Sequence, residues 1–167
     1  RLQATHARSS QRSSPASVLA SINTILHQRQ LEEYYCTLCY TIFDLKRRTM
    51  TIANSGLPYP VRCSATECVL IELPGVPLGS FAGSTYDEAT FSLHAGEVYV
   101  FCTDGVSEAM NERGQEFTST RLLDVVGRSR ELPAAKIVAA IFHAVAEWRG
   151  DAPPNDDMTA VVVRITA

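Results

Sequence analysis

No apolar run in this 167-residue sequence approaches the ~20 consecutive residues that a membrane-spanning helix needs. The first ten residues, RLQATHARSS, lack the apolar centre of a secretory signal. Charge is equally sparse in pattern. Fifteen basic residues against 18 acidic ones give a net charge of -3, without a long block of either sign, so nothing marks a surface for nucleic acid or an anionic membrane. There is no G-x-G-x-x-G and no phosphate-binding G-x-x-x-x-G-K loop, which removes the usual signatures of nucleotide binding. A G-x-S-x-G elbow is absent as well, because Ser55 lies in Asn54-Ser55-Gly56-Leu57. His6, His27, His94 and His143 are scattered without a nucleophile beside them, and His143 reads as a packing or surface residue of a helix. What is present, 46% hydrophobic and 20% charged residues, fits one soluble cytoplasmic domain with a sizeable core.

Cysteine occurs five times, at 36, 39, 63, 68 and 102, mostly inside apolar runs rather than in the small loops of a disulfide scaffold. Reduced thiols are therefore expected. Cys36-x-x-Cys39 followed by Cys63 and Cys68 invites a zinc reading, but YYCTLCYTIF contains no turn residue. On a strand, positions three apart face opposite sides, so the pattern favours small buried cysteines over a shared ion.

Along the chain, Ser14-Pro15 followed by Val18, Leu19, Ile22, Ile25 and Leu26 predicts a capped amphipathic helix from 15 to about 30. YYCTLCYTIFDL and TMTIANS, broken at Lys46-Arg47-Arg48, predict a β-hairpin whose charged tip is a solvated turn rather than a phosphate clamp. GLPYP turns the chain, VLIEL offers a short strand, and LPGVPLGSFAGS makes a long loop. ATFSL and EVYVFCT read as a second hairpin joined at His94-Ala95-Gly96. STRLLDVVGRS and PAAKIVAAIFHAVAEW carry helical periodicity, the second with Ile137, Ile141, Val145 and Trp148 on one packing stripe. A polar loop then leads into the β-branched strand near the C-terminus. With no βαβ alternation, this order predicts an α+β fold, antiparallel sheets covered by helices, with 1–13 as an N-terminal segment and 14–167 as a single domain.

Two acidic motifs stand at strand ends: Thr103-Asp104-Gly105 and Asn155-Asp156-Asp157. Converging carboxylates there would suit Mg²⁺ or Mn²⁺, hard ions that take oxygen ligands and keep several waters. Gly105 would let the backbone turn sharply beside an ion. Asp156 and Asp157 diverge along an extended chain, which favours one of them as the direct ligand. Both motifs also suit ordinary turns, and the spacing alone leaves these alternatives open. An aspartyl-phosphate mechanism of the haloacid dehalogenase type fails, because the position two after Asp104 is Val106 instead of a second acid.

LHAGEVYVFCTDGVSEAMNERGQEF, followed some forty residues later by NDDMTAVVVRI, resembles the sporulation-protein-E-type branch of the metal-dependent PPM (type 2C) serine/threonine phosphatases. SPASVLASINTIL, CTLCYTIFDL, MTIANSGLPYPV and LPGVPLGSF support the resemblance in order, so that it spans about Ser14 to Ile165. It implies a β-sandwich of antiparallel sheets flanked by helices. It also implies a hydrolase in which two Mn²⁺ or Mg²⁺ ions activate a water against phosphoserine or phosphothreonine. Under that resemblance Asp104 and Asp156 are metal ligands, Gly105 permits close approach, and Glu108 and Asp157 are further acidic positions at the site. Glu108 is equally readable as a solvated acid in the first turn of a helix. The implied substrate is a phosphorylated bacterial regulatory protein, an antagonist of an anti-sigma factor, with a sensor domain upstream. The family's first metal motif, an Asp-Gly pair in an early hairpin, has no counterpart in residues 1–13, and its AGH turn reads Ser55-Gly56-Leu57. The domain therefore reads as N-terminally shortened, and a catalytically silent binding module of the same shape is the rival reading.

Overall fold

The computed structural model describes residues 14–29 and 35–166; the separately assigned segment 1–13 lies outside them. Helix α1 (Pro15–Gln28) begins as expected, with Pro15 in its first turn and the Ser14 hydroxyl accepting from the Ser17 amide at 3.3 Å. Strands β1 (Leu38–Asp44) and β2 (Thr49–Ser55) then form the first hairpin, Leu38 opposite Ser55 and Asp44 opposite Thr49. Next come β3 (Val61–Cys63), β4 (Cys68–Leu70), β5 (Glu88–Ser92) and β6 (Val98–Cys102). A short helix α2 (Asp104–Ser107), longer helices α3 (Thr118–Ser129) and α4 (Ala134–Arg149), and strand β7 (Ala160–Arg164) complete the described chain.

The strands make two antiparallel sheets, ordered β1-β2-β5 and β4-β3-β6-β7. Strand alternation sorts their side chains into layers. Met50 and Ile52 of β2 meet Tyr99 and Phe101 of β6 between the sheets, with Phe43 edge-on to Tyr99 at 5.9 Å. Val98 and Val100, the alternate positions of β6, pack instead on Val126 of α3 and on Ile137, Ile141 and Val145 of α4. On the far side, Leu19 of α1 covers Ala53. The order is therefore helix, sheet, sheet, helices, as the α+β reading anticipated, with each fully buried aliphatic side chain contributing about 1.5–3 kcal/mol. The predicted stripe of α4 is its core face, and exposed His143 sits near Glu147 at 3.5 Å.

Four expectations are corrected. ATFSL and EVYVFCT do not form a hairpin: β5 pairs with β2, β6 pairs with β3 and β7, and the chain crosses between sheets at His94–Gly96. Strand β3 was not anticipated, since three residues between Pro60 and Ser64 carry too little pattern, and VLIEL is a strand only as far as Leu70. Cys36 precedes β1, in an isolated bridge to Leu78, so it does not share a strand with Cys39. Finally, the thiols are not all reduced. Cys63 and Cys68 lie opposite each other in the β3–β4 register and are joined as a disulfide, a proximity that only the pairing creates. Cys36, Cys39 and Cys102 are free, and burial pushes the Cys102 thiol up to about 12.

The sheet-to-sheet crossing explains a residue that composition did not flag. Glu97 is 4% exposed, and its carboxylate accepts from the Arg62 guanidinium at 2.5 Å, the Tyr99 hydroxyl at 2.9 Å and the His94 amide at 3.0 Å. Burial would raise its pKa, but these donors outweigh burial and hold it below the ordinary value. A depressed carboxyl contributes stability above its unfolded pKa, and that contribution is lost as pH falls through the folded value. Glu97→Ala is expected to cost about 3 kcal/mol, because it strands Arg62 and Tyr99 beside the core. Urea unfolding of Glu97→Ala checks this; a cost that persists undiminished in acid, where the native carboxyl is protonated, would contradict the assignment.

Candidate active site

Antiparallel pairing of β6 with β7 sets Cys102 opposite Ala160, so the end of one strand and the approach to the other are neighbours. The two acidic motifs extend from those ends. Thr103 joins them. Its amide donates to the Thr159 carbonyl at 3.0 Å, while its hydroxyl accepts from the Thr159 amide at 2.9 Å and donates to the Asp157 carbonyl at 3.1 Å. Asn155 adds a bond from Nδ2 to the Glu108 carbonyl at 3.0 Å. Val106 and Ala109, both fully buried in the helix-side core, anchor α2 from below.

Gly105 is where the motifs touch. A Cβ at this position would stand 2.4 Å from the Asp157 carbonyl oxygen and 3.4 Å from the Asp156 carbonyl carbon. No side chain fits that gap. The Asp104 carboxylate accepts from the Gly105 amide at 3.0 Å, and the Asp156 carboxylate accepts from the Asp157 amide at 2.7 Å. Each local bond engages Oδ1 and leaves the second oxygen uncommitted by it. All four acids, Asp104, Glu108, Asp156 and Asp157, are solvent-exposed.

Asp104 and Glu108 border a cleft of about 370 Å³ whose other walls are the loops after β2 and around Gly75. Asn54, 1% exposed, fixes both loops: its Nδ2 donates to the Leu57 and Leu73 carbonyls at 2.9 and 3.2 Å, and its Oδ1 accepts from the Leu57 amide at 3.2 Å. Gly75 must be glycine, since a Cβ there would lie 1.9 Å from the Asn54 carbonyl oxygen.

The donor set is all oxygen, as hard divalent ions require, and Gly105 brings the α2 backbone directly against the Asp157 carbonyl. Ligand number is smaller than a cage needs: among the described residues no three His, Cys, Asp or Glu side chains are grouped to hold an ion. The structure thus brings Asp104, Gly105 and the Asp156–Asp157 backbone together and sets Glu108 on the cleft. Glu108 does not sit in the first turn of α2 but caps its C-terminal end, its amide donating to the Asp104 carbonyl at 2.8 Å. A helix-dipole role is thereby removed. Thr103, Asn54 and Gly75 were not singled out from sequence. The Asn54-Ser55-Gly56 triplet closing an apolar strand was the available signal for Asn54.

The model of the stage II sporulation protein E (SpoIIE) family matches residues 2–166. Phosphoserine phosphatase RsbU of Bacillus subtilis (strain 168) is 23% identical over 152 residues, covering 90% of this chain and 45% of RsbU. The chain thus spans under half the length of that relative. The SiaA-PP2C domain of Pseudomonas aeruginosa superposes with a TM-score of 0.79 at 21% identity, over 92% of this chain and 61% of that one. The phosphatase domain of the cell fate determinant SpoIIE from Bacillus subtilis, presoaked with manganese, superposes with a TM-score of 0.65 at 21% identity, over 96% and 77% of the two chains. These likenesses establish the layered PP2C-type fold.

Proposed function

The chain belongs to the SpoIIE family, and from that premise we propose that it forms part of a metal-dependent protein serine/threonine phosphatase. Its substrate is phosphoserine or phosphothreonine on a regulatory protein, of the kind that antagonises an anti-sigma factor. The observation that carries this reading is the packing of Gly105 on the Asp157 carbonyl, which joins the two acidic motifs at one end of the sandwich. Asp104 and Asp156 are the proposed ligands of Mn²⁺ or Mg²⁺, with Glu108 and Asp157 as acidic neighbours. When bound, such ions supply Lewis acidity toward water and the phosphoryl group. The residues of this chain hold the acids in place. Thr103 and Asn155 tie the 155–159 loop to α2, and the Asn54 network keeps the facing wall of the cleft open to a phosphorylated side chain.

A second reading, a phosphatase-shaped binding module without turnover, draws on one observation: no three candidate ligands are grouped among the described residues. Two divalent ions carry four positive charges, which two named carboxylates balance poorly. Residues 1–167 alone are therefore expected to bind Mn²⁺ at least about tenfold more weakly than a chain extended by an upstream Asp-Gly hairpin. Calorimetric titration of both forms, with phosphate release from a phosphoserine protein, decides the matter. Turnover by residues 1–167 that is lost in Asp104→Asn would show that Asp157 or Glu108 completes the site; no turnover by the extended chain would favour the binding module.

A further inference from the structure

We propose that a second pocket, adjoining the Asp104 cleft, receives a lysine or arginine side chain that flanks the phosphoresidue of the substrate protein; this rests on the phosphatase reading above. Pro58, Tyr59 and Glu108 line both the cleft and a neighbouring cavity of about 300 Å³, so the two share a wall. A chain seated with its phosphoresidue at Asp104 therefore passes the second pocket within a few residues. The pocket floor is apolar and belongs to the protein core: Val100 and Leu122 are 1% and 5% exposed. At the rim stand two carboxylates, Glu108 and Glu116, and no basic residue among the described residues lines the pocket.

Neither carboxylate is neutralised by a protein cation among the described residues. Arg121, one turn into α3, is committed elsewhere: its guanidinium lies 3.8 Å from the centre of the Trp148 ring and donates to the Phe117 carbonyl at 3.2 Å. Apolar floor and acidic rim together match one kind of occupant. A lysine or arginine lays its methylene stem on apolar surface and keeps its charged head at the edge, where carboxylates give charge-assisted hydrogen bonds. The same rim repels an acidic flank, so selection acts by attraction and by exclusion. At about 300 Å³ the cavity is at the small end of binding sites, suited to one long side chain rather than a larger ligand.

The full-length protein, supplied with Mn²⁺, is assayed on phosphoserine peptides in which a single lysine, glutamate or leucine is moved through each flanking position. Lysine is expected to raise kcat/KM about tenfold over glutamate at one position. Glu116→Gln should shrink that ratio to about threefold, since Glu108 remains at the rim, and Glu116→Lys should bring it to about unity or below. Reading the ratio within each variant removes any change in total activity or folded fraction. A ratio unchanged in both variants overturns the proposal, and so does a leucine preference at that position, which would make the pocket an apolar one. Hydrolysis of p-nitrophenyl phosphate without any flanking preference overturns the docking site alone. Failure of the unmodified protein to hydrolyse p-nitrophenyl phosphate overturns the phosphatase reading and the docking site together.

Discussion

Asp104→Asn in the full-length protein is expected to lower kcat by about 10²- to 10³-fold, the scale of losing one preorganised charge at a reacting centre. The substitution is nearly isosteric. Asparagine keeps the Oδ1 that accepts from the Gly105 amide at 3.0 Å, so the turn that joins β6 to α2 has no reason to move. What disappears is a negative charge on the wall of the cleft. Because Asp104 is exposed, removal of that charge should leave the unfolding midpoint in urea almost unchanged. Phosphate release measured across a Mn²⁺ titration distinguishes a weakened site, in which added Mn²⁺ restores rate, from one in which the carboxylate is needed even at saturation. Retained activity with unaltered Mn²⁺ dependence would remove Asp104 from the site.

Gly105→Ala should have a comparable effect on rate by a different route. Its Cβ would fall 2.4 Å from the Asp157 carbonyl oxygen, a backbone atom that cannot swing aside as a side-chain end does. Either α2 or the 155–159 loop must shift, and displacement of about 1 Å at a reacting centre is enough to cost about 10²-fold. The accompanying overpacking is expected to cost about 1–3 kcal/mol. Gly127→Ala is the matched control. There, among the described residues, the new Cβ would meet only Cys68 Sγ, at 3.7 Å, an ordinary contact, so the helix should gain up to about 1 kcal/mol instead. Chemical unfolding and phosphate release on the two variants separate the cases, and equal behaviour of both would show that the Gly105 contact does not hold the motifs together.

Local signals in the sequence determined more of this protein than its modest patterning suggests. Ser14-Pro15 set the start of α1, the charged break at 46–48 set the first hairpin turn, and the period of the 134–149 segment set its buried face. Each is legible because the physics is local: a cap, a turn and a repeat act over a few residues. The two acidic motifs were legible as strand-end features because polar residues at the ends of apolar strands stand out against their surroundings, and spacing alone left a site and two ordinary turns equally open. The tertiary structure decided everything that depends on which strand lies beside which. β5 and β6 look like a hairpin in sequence, yet they enter different sheets, and Met50 and Ile52 of one sheet and Tyr99 of the other are buried against each other between the layers. That crossing, in turn, is what buries Glu97 among Arg62, Tyr99 and the His94 amide. Pairing β6 with β7 is likewise what lays the Asp157 carbonyl on Gly105 across 52 residues of sequence, and no rule of spacing reaches that far.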